Sequence, residues 1–392
     1  MVLGGIPGLA LDRTGVALLG AIAMVGMGAI SLDDALHSVD VATLLLLYGL
    51  MVVSAQFRLG GFYTFVALRL TRRLERPGLF LAQLMVVAAV LSAVLANDIV
   101  CLAFTPVLAV SLRKGGLNPV PFLLGLAASS NIGSAATIIG NPQNMLIGQV
   151  GHLGFGPFLL WCLPPTLVSL AAAWAILAVV WRGRWRAVAV EEPVPAVDWP
   201  PFNRWQTAKG LLVTAAVMAL FFTSVPRELT ALCAAGVLLL SRRMQTRSLL
   251  GLIDWHLITL FTGLFIIIKA LEMTGVPAGI AQALSAHGAD AHNLYALTGI
   301  SAALSNLVSN VPATMILLRL IDPSHPVQAY VLALSSTFAG NLITLGSIAN
   351  LIVIEQARAV GVTVSFREHA RTGVPITLAS LVATAAWIAL AA

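Results

Sequence analysis

Charge is scarce in this sequence: Asp, Glu, Lys and Arg make up 10% of its 392 residues, against 59% apolar. Soluble domains carry about a quarter charged residues, so a solvated surface along the whole chain is excluded. Only three cysteines occur, Cys101, Cys162 and Cys233, each alone in an apolar run. With no CxxC and no histidine at ligand spacing they form neither a disulfide framework nor a zinc site, and read as core fillers. The seven histidines fall mostly in predicted loops or helix ends, and none forms HExxH, so no metal site and no cofactor are expected. Regular polar–apolar alternation, which a transmembrane barrel needs, is missing too. The net charge of +6 resides in short loops, where it sets membrane topology, and nucleic acid is not an expected partner.

What the chain does have is a series of apolar runs of about 17 to 25 residues, the length that spans a hydrocarbon core. This predicts an all-α polytopic protein of the cell's inner (plasma) membrane, with the lipid bilayer as its first partner. The opening MVLGGIPGLALDRTG lacks a basic leader and a clear cleavage site, so it reads as retained. Basic residues, which stay cytoplasmic, order the spans. Arg13 precedes a span at 14–30, an acidic loop follows, and a second span at 41–57 returns to Arg58. The segment 78–112 is flanked by Arg76 and by Arg113 and Lys114, and reads VLANDIV at its middle, which predicts a hairpin re-entering from the cytoplasm. The stretch 120–150 crosses outward through SSNIGSAATIIGNPQNMLIG, and 157–181 returns.

The Pro-rich, charged segment after 182 is the best linker, so 1–182 reads as one repeat and 183–227 as a cytoplasmic linker with a connecting span. Residues 228–392 read as the second repeat, with two spans, a hairpin at 292–321 entering from outside, a broken span at 327–357 and a last span at 373–391. The N-terminus is then cytoplasmic and the C-terminus outside, with Arg72, Arg113, Arg184 and Arg242 inside and His152 and His325 outside. SSNIGSAATIIGNPQNMLIGQ aligns with SSTFAGNLITLGSIANLIVIEQ, pairing Asn144 with Asn350, and SAVLANDIV aligns with SNLVSNVPA, pairing Asn97 with Asn310. Order and spacing repeat while the charges reverse the orientation, which predicts an inverted-topology repeat with two re-entrant hairpins and two broken transmembrane helices. Unwound backbone survives in a bilayer only where it is buried in protein or lines a cavity. Four breaks converging at mid-membrane would make such a cavity, with helix N-termini for an anion and carbonyl, Asn, Ser and Thr oxygens for a cation.

NDIVCLAFTP (97–106), NIGSAATIIGNPQN (131–144), SNLVSNVPA (305–313) and GNLITLGSIANLI (340–352) together resemble the ion transporter superfamily of arsenite permeases, sodium/proton antiporters and citrate and dicarboxylate carriers. The resemblance runs from about 41 to 392. It implies a scaffold built from the early helices of each repeat, a transport body of hairpins and broken helices, a homodimer and an elevator-like motion. Sodium-coupled dicarboxylate carriers place Ser-Asn-Thr at both hairpin tips; here the tips read Ala96-Asn97-Asp98 and Ser309-Asn310-Val311. That departure argues against a dicarboxylate and toward the arsenite, antiporter and general anion branches.

The candidate solute- and ion-binding residues are Asn97, Asp98, Asn131, Thr137, Asn141, Asn144, Ser309, Asn310, Asn341, Thr344, Ser347 and Asn350, with Gln143 a weaker one. Asp98 is the acid placed at mid-membrane on a hairpin tip, and an ionisable group at that depth is functional by default. It is the expected coupling residue, for a proton or for sodium, with sodium expected at Asn97/Asp98 and at Asn310/Asn341. Lys269 and Glu272 share a helix face and read as a pair, as do Glu355 and Arg358. No GxSG or HExxH supports an intramembrane enzyme, and no buried Arg clamp is evident. The expected function is ion-coupled secondary transport of a small anion or oxyacid such as arsenite by alternating access, with sodium/proton antiport or citrate/dicarboxylate carriage as the alternatives.

Overall fold

A computed structural model describes residues 11–72, 74–186, 199–241, 245–275, 279, 290–322 and 325–391. Arg242 and the centre of the Pro-rich linker lie outside the described residues. The described elements are helices: α1 (Arg13–Gly26), α2 (Leu32–Ser38), α3 (Val41–Leu59), α4 (Phe62–Leu70), α5 (Pro77–Val94), α6 (Asn97–Lys114), α7 (Val120–Ser134), α8 (Pro142–Val150), α9 (Phe155–Val180), α10 (Arg204–Leu220), α11 (Arg227–Leu239), α12 (Thr246–Leu250) and α13 (Trp255–Met273). After the gap come α14 (Leu294–Val308), α15 (Asn310–Leu317), α16 (Pro326–Ala339), a 3-10 turn (Thr344–Gly346), α17 (Ile348–Ala359) and α18 (Phe366–Ala391). Five of them, α3, α5, α9, α13 and α18, are long and apolar enough to cross a membrane.

The early helices of each half pair crosswise. α3 and α11 meet where a Cβ on Gly49 would lie 2.6 Å from the Ala231 backbone, and α1 and α13 meet where one on Gly263 would lie 3.0 Å from Ala17. Small residues let helix backbones approach in lipid, where packing replaces the hydrophobic drive. The starts of α3 and α13 are capped alike, Asp40 accepting from Thr43 N (2.8 Å) and Asp254 from Leu257 N (2.9 Å). On the outside of the molecule α9 and α18, each 26 residues long, present apolar side chains such as Leu160, Val179, Val382 and Leu390 outward, as lipid-facing helices must. Cys101 and Cys162 are buried; Cys233 instead is exposed on α11, so it fills no core.

α5 and α7 run side by side in one direction: a Cβ on Gly125 would meet Leu81, one on Gly133 would lie 2.3 Å from Ala89, and Thr137 donates to Ala93 O (2.5 Å). Since α7 follows α6 through a short loop, α5 and α6 form a hairpin with both open ends at one end of the molecule. That end also holds the end of α9, through Asn118 N donating to Trp185 O (2.9 Å), and the end of α17, through Arg113 donating to Val360 O (2.9 Å). The chain reverses at Leu95 and Ala96, between the two helices. The second hairpin, α14–α15, lies along α16: Asn306 Nδ2 donates to Ala339 O (3.1 Å), and Gln328 reaches His292 O (3.5 Å). Tyr330, near the start of α16, packs on Phe158 and Trp161 at the start of α9. The second hairpin therefore opens at the opposite end from the first.

Candidate functional site

Each hairpin tip is pinned to the break of the helix beside it. Ser130 on α7 shares a hydrogen bond with Ser92 (2.9 Å) and donates to Asn97 O (3.2 Å). At the second tip, Ser309 is held at φ 81°, a left-handed value costly for a residue with a Cβ. The adjoining Asn310 amide, with its nitrogen turned inward, donates to Ser336 O (3.3 Å) and Gly346 O (3.2 Å). The second tip thus reaches unwound backbone at Gly346, and at the first tip the break itself reaches over, through Thr137 donating to Ala93 O (2.5 Å).

The two breaks carry the same internal scaffold. Asn144 Nδ2 donates to the carbonyls of Ser134 and Thr137, ten and seven residues before it, at 3.3 and 3.0 Å. Asn350 Nδ2 donates to Gly340 O and Ile343 O, again ten and seven residues before it, at 2.8 and 3.2 Å. These bonds satisfy carbonyls that leave the helical ladder where α7 and α16 stop. The breaks also cross-link: Asn131 donates to Asn341 Oδ1 (2.8 Å) and Asn350 Oδ1 (3.2 Å) and accepts from Ser347 Oγ (2.8 Å). From the other side Thr337 accepts from Asn141 (3.2 Å) and Gln143 (3.3 Å) and reaches Asn144 Oδ1 (3.5 Å).

Between tips and breaks lies a chamber of about 30 Å³ lined by Asn97, Asp98, Asn131, Asn141, Gln143, Ser309, Asn310, Gly346 and Ser347 among others. Four helices, α6, α8, α15 and α17, begin at this point. Asn141 caps α8 through Asn144 N and Ser347 caps α17 through Ala349 N, whereas α6 and α15 have no side-chain cap. Ile99 N already donates to Ala96 O (3.2 Å) and Pro312 has no N–H, which leaves the N–H groups of Asn97 and Asp98 on α6 and of Asn310 and Val311 on α15 without an acceptor among the described residues and available to an anion, and the helix dipoles add positive potential. Asp98 stands in the first turn of α6, half-buried, with no hydrogen bond or ion pair to a described residue. A larger cavity of about 230 Å³ adjoins the chamber, sharing Asn97, Asp98, Asn141 and Pro142, and is otherwise lined by Arg58, Asp254 and apolar side chains such as Leu50, Met51 and Met145.

Of the residues singled out from sequence, Asn97, Asp98, Asn131, Asn141, Ser309, Asn310 and Ser347 line the chamber, with Gln143 beside them. Asn144, Asn350 and Thr137 turn away into the breaks and hold backbone. Asn341 accepts from Asn131 while its own buried Nδ2 has no partner among the described residues, and Thr344 is half-buried in the 3-10 turn without lining the chamber. Lys269 and Glu272 pair at 3.3 Å, and Arg319 joins them at 3.6 Å. Glu355 is exposed and makes no pair with Arg358, correcting that expectation. No Arg lines the chamber, but half-buried Arg58, at the end of α3, lines the adjoining cavity. Arg58, Asp254, Ser130, Ser134 and Thr337 escaped sequence reasoning. Arg58 and Asp254 look like ordinary interfacial charges in sequence, and the only available signal for Ser130, Ser134 and Thr337 was their closeness to the breaks. Among the described residues no three His, Cys, Asp or Glu side chains group as a metal site would require.

The chain is 31% identical to an uncharacterized transporter of Mycobacterium tuberculosis, over 96% of this chain and 94% of that one. It is 29% identical to the silicon efflux transporter LSI3 of Oryza sativa subsp. japonica, over 95% and 91% of the two chains. The crystal structure of the Alcanivorax borkumensis YdaH transporter shares the fold at a TM-score of 0.58 and 14% identity, covering 97% of this chain and 90% of that one. With its residues 2–339 matching the model of the citrate transporter family, the chain belongs to that family and is a multi-pass membrane transporter of the ion transporter superfamily, not an enzyme.

Proposed function

We propose that the protein is an ion-coupled secondary transporter of a small anion or oxyacid, working by alternating access, with its solute at the junction of tips and breaks. The observation that carries this reading is Asp98, a carboxylate without a partner among the described residues, beside the uncapped N-termini of α6 and α15. An anion drawn by those N–H groups would be repelled by an ionised Asp98, so a proton or sodium ion on Asp98 favours anion binding and binding favours the ion. That mutual dependence is coupling. Asn97, Ser309, Asn310 and Ser347 supply further oxygens for a cation. The matching hydrogen bonds of the two breaks and the oppositely opening hairpins support an inverted repeat, with solute and ion near the bilayer midplane. A homodimer with an elevator-like motion remains what the superfamily resemblance implies.

Size supports a small solute. The chamber has room for a bare ion or roughly one or two waters, and opening it by a little would admit an arsenite- or silicic-acid-sized molecule. The rice relative's name, a silicon efflux transporter, points to the same chemistry. Citrate is the second reading, favoured by the family model and by Arg58, since the adjoining cavity is large enough for a carboxylate and Arg forms bidentate pairs with one. Flux into proteoliposomes of arsenite, silicic acid, citrate, succinate, sulfate and sodium, each under imposed proton or sodium gradients, tests the proposal. Gradient-driven movement of an oxyacid is expected; movement of citrate alone selects the second reading, and proton-driven sodium movement without any of the other solutes selects antiport.

A further inference from the structure

α1 and α11 open the two halves, and each begins with an arginine, Arg13 and Arg227. The two are held in different places. Arg227 reaches across to the far end of α8, donating to Gly148 O (2.8 Å), Leu153 O (2.8 Å) and Gln149 Oε1 (3.1 Å). Gln149 in turn donates to Glu228 beside it (3.0 Å). Arg13 reaches the second break instead, donating to Leu345 O (3.2 Å), some way short of the end of α17. If the halves were in the same arrangement, Arg13 would hold the far end of α17. The helices that carry the breaks are therefore shifted along the early helices, toward the end where Arg13 sits. The same shift accounts for the open cavity between Arg58, Asp254 and Asp98 at that end.

We infer that Arg13 and Arg227 are positioning residues that hold the two end states of the transport cycle, and that the state opposite to this one is closed by an ion pair between Arg13 and Glu355. This inference rests on the alternating-access reading above. Glu355 occupies in the second half the position of Gln149 in the first, each five residues past the paired asparagine Asn350 or Asn144. Exchanging the arrangements of the halves carries Arg227 from Gly148 and Gln149 toward the Ile139 region of the first break, and Arg13 from Leu345 to Glu355. The helical part of that path, Ile348 to Glu355, makes this a slide of about 10 Å along α17 at 1.5 Å per residue. The side chains fit the exchange. Gln149 stands between Arg227 and Glu228 and must both accept and donate, which an amide does. Glu355 would stand between Arg13 and Thr14 and need only accept, which a carboxylate does. In the present state Glu355 is exposed with no partner among the described residues, and Thr14 Oγ1 makes only a long contact to His256 O (3.4 Å).

The test uses the full chain in membranes, with Cys101, Cys162 and Cys233 replaced by Ala. Arg13→Cys with Glu355→Cys should be joined by a short bis-methanethiosulfonate, which forms a disulfide with each thiol and releases sulfinate, and the joined protein should stop transporting until the disulfides are reduced. Arg227→Cys with Gln149→Cys should be joined as well, trapping the other state, and serves as the control for folding and reactivity. Separately, Arg13→Glu and Glu355→Arg should each slow transport, and their combination should recover at least about fivefold over either alone. Joining of the 227/149 pair without joining of the 13/355 pair, or a charge exchange that recovers nothing, would overturn the inference. Neither cross-link needs a solute, so a wrong solute assignment leaves this result intact.

Discussion

Asn144 was expected from sequence to face the solute, but its buried amide is occupied with backbone, and that makes Asn144→Ala an informative perturbation. Its Nδ2 is the donor to Ser134 O and Thr137 O at 3.3 and 3.0 Å, within a break that has lost its helical bonds. Removing it leaves two buried carbonyls without that donor, at about 1–3 kcal/mol each. The 3.3 Å bond is long for its type, so the expected total is about 2–4 kcal/mol. Asn144→Asp should be no better, since an ionised carboxylate cannot donate to either carbonyl. Asn350→Ala should cost a similar amount, because Asn350 holds Gly340 O and Ile343 O in the same way. The assay is equilibrium unfolding in mixed micelles, read alongside solute affinity for whatever fraction remains folded. A variant within about 0.5 kcal/mol of the parent whose solute affinity has nonetheless fallen tenfold or so would refute the assignment and place the Asn144 side chain at the solute.

Asp98→Asn keeps the shape of the chamber and removes the titrating charge, so transport should lose its dependence on the driving gradient while solute exchange at equilibrium continues. Concentrative uptake with an unchanged pH profile would make Asp98 structural and move the coupling ion toward Asn310 and Asn341. Arg58→Gln should raise the KM for an anionic solute severalfold and leave a neutral oxyacid nearly untouched; equal effects on both would remove Arg58 from solute recognition. Gly133→Ala places a Cβ 2.3 Å from Ala89 Cα and should cost about 1–3 kcal/mol through the forced separation of α5 and α7, measured by the same unfolding assay. Single cysteines at exposed Lys114 and His325 should label from the cytoplasm and from outside respectively, and labelling of both from one side would end the inverted arrangement.

Much of the fold was legible because its signals are local. Loops announce themselves through Lys and Arg, spans through their length, and breaks through Gly, Pro and Asn where a bilayer tolerates none without protein around them. That was enough to expect hairpins at 78–112 and 292–321, where helix pairs reversing at Leu95–Ala96 and at Ser309 are found. Seven of the twelve candidate residues were also brought to one chamber, because matching stretches in the two halves mark the same structural role twice. Which way each side chain points was not legible. In a soluble helix the polar face betrays the buried one, but in a membrane the lipid and the protein interior are equally apolar, so composition along α3 or α11 says little about which face packs. Only the tertiary structure therefore decided that Cys233 faces outward, that Asn144 and Asn350 hold backbone, and that Arg58 and Asp254 share a cavity with Asp98. The grip of Arg227 on α8 and the looser reach of Arg13 belong to the same class, because they depend on how far one set of helices has slid along another, a quantity that no residue in the chain encodes by itself.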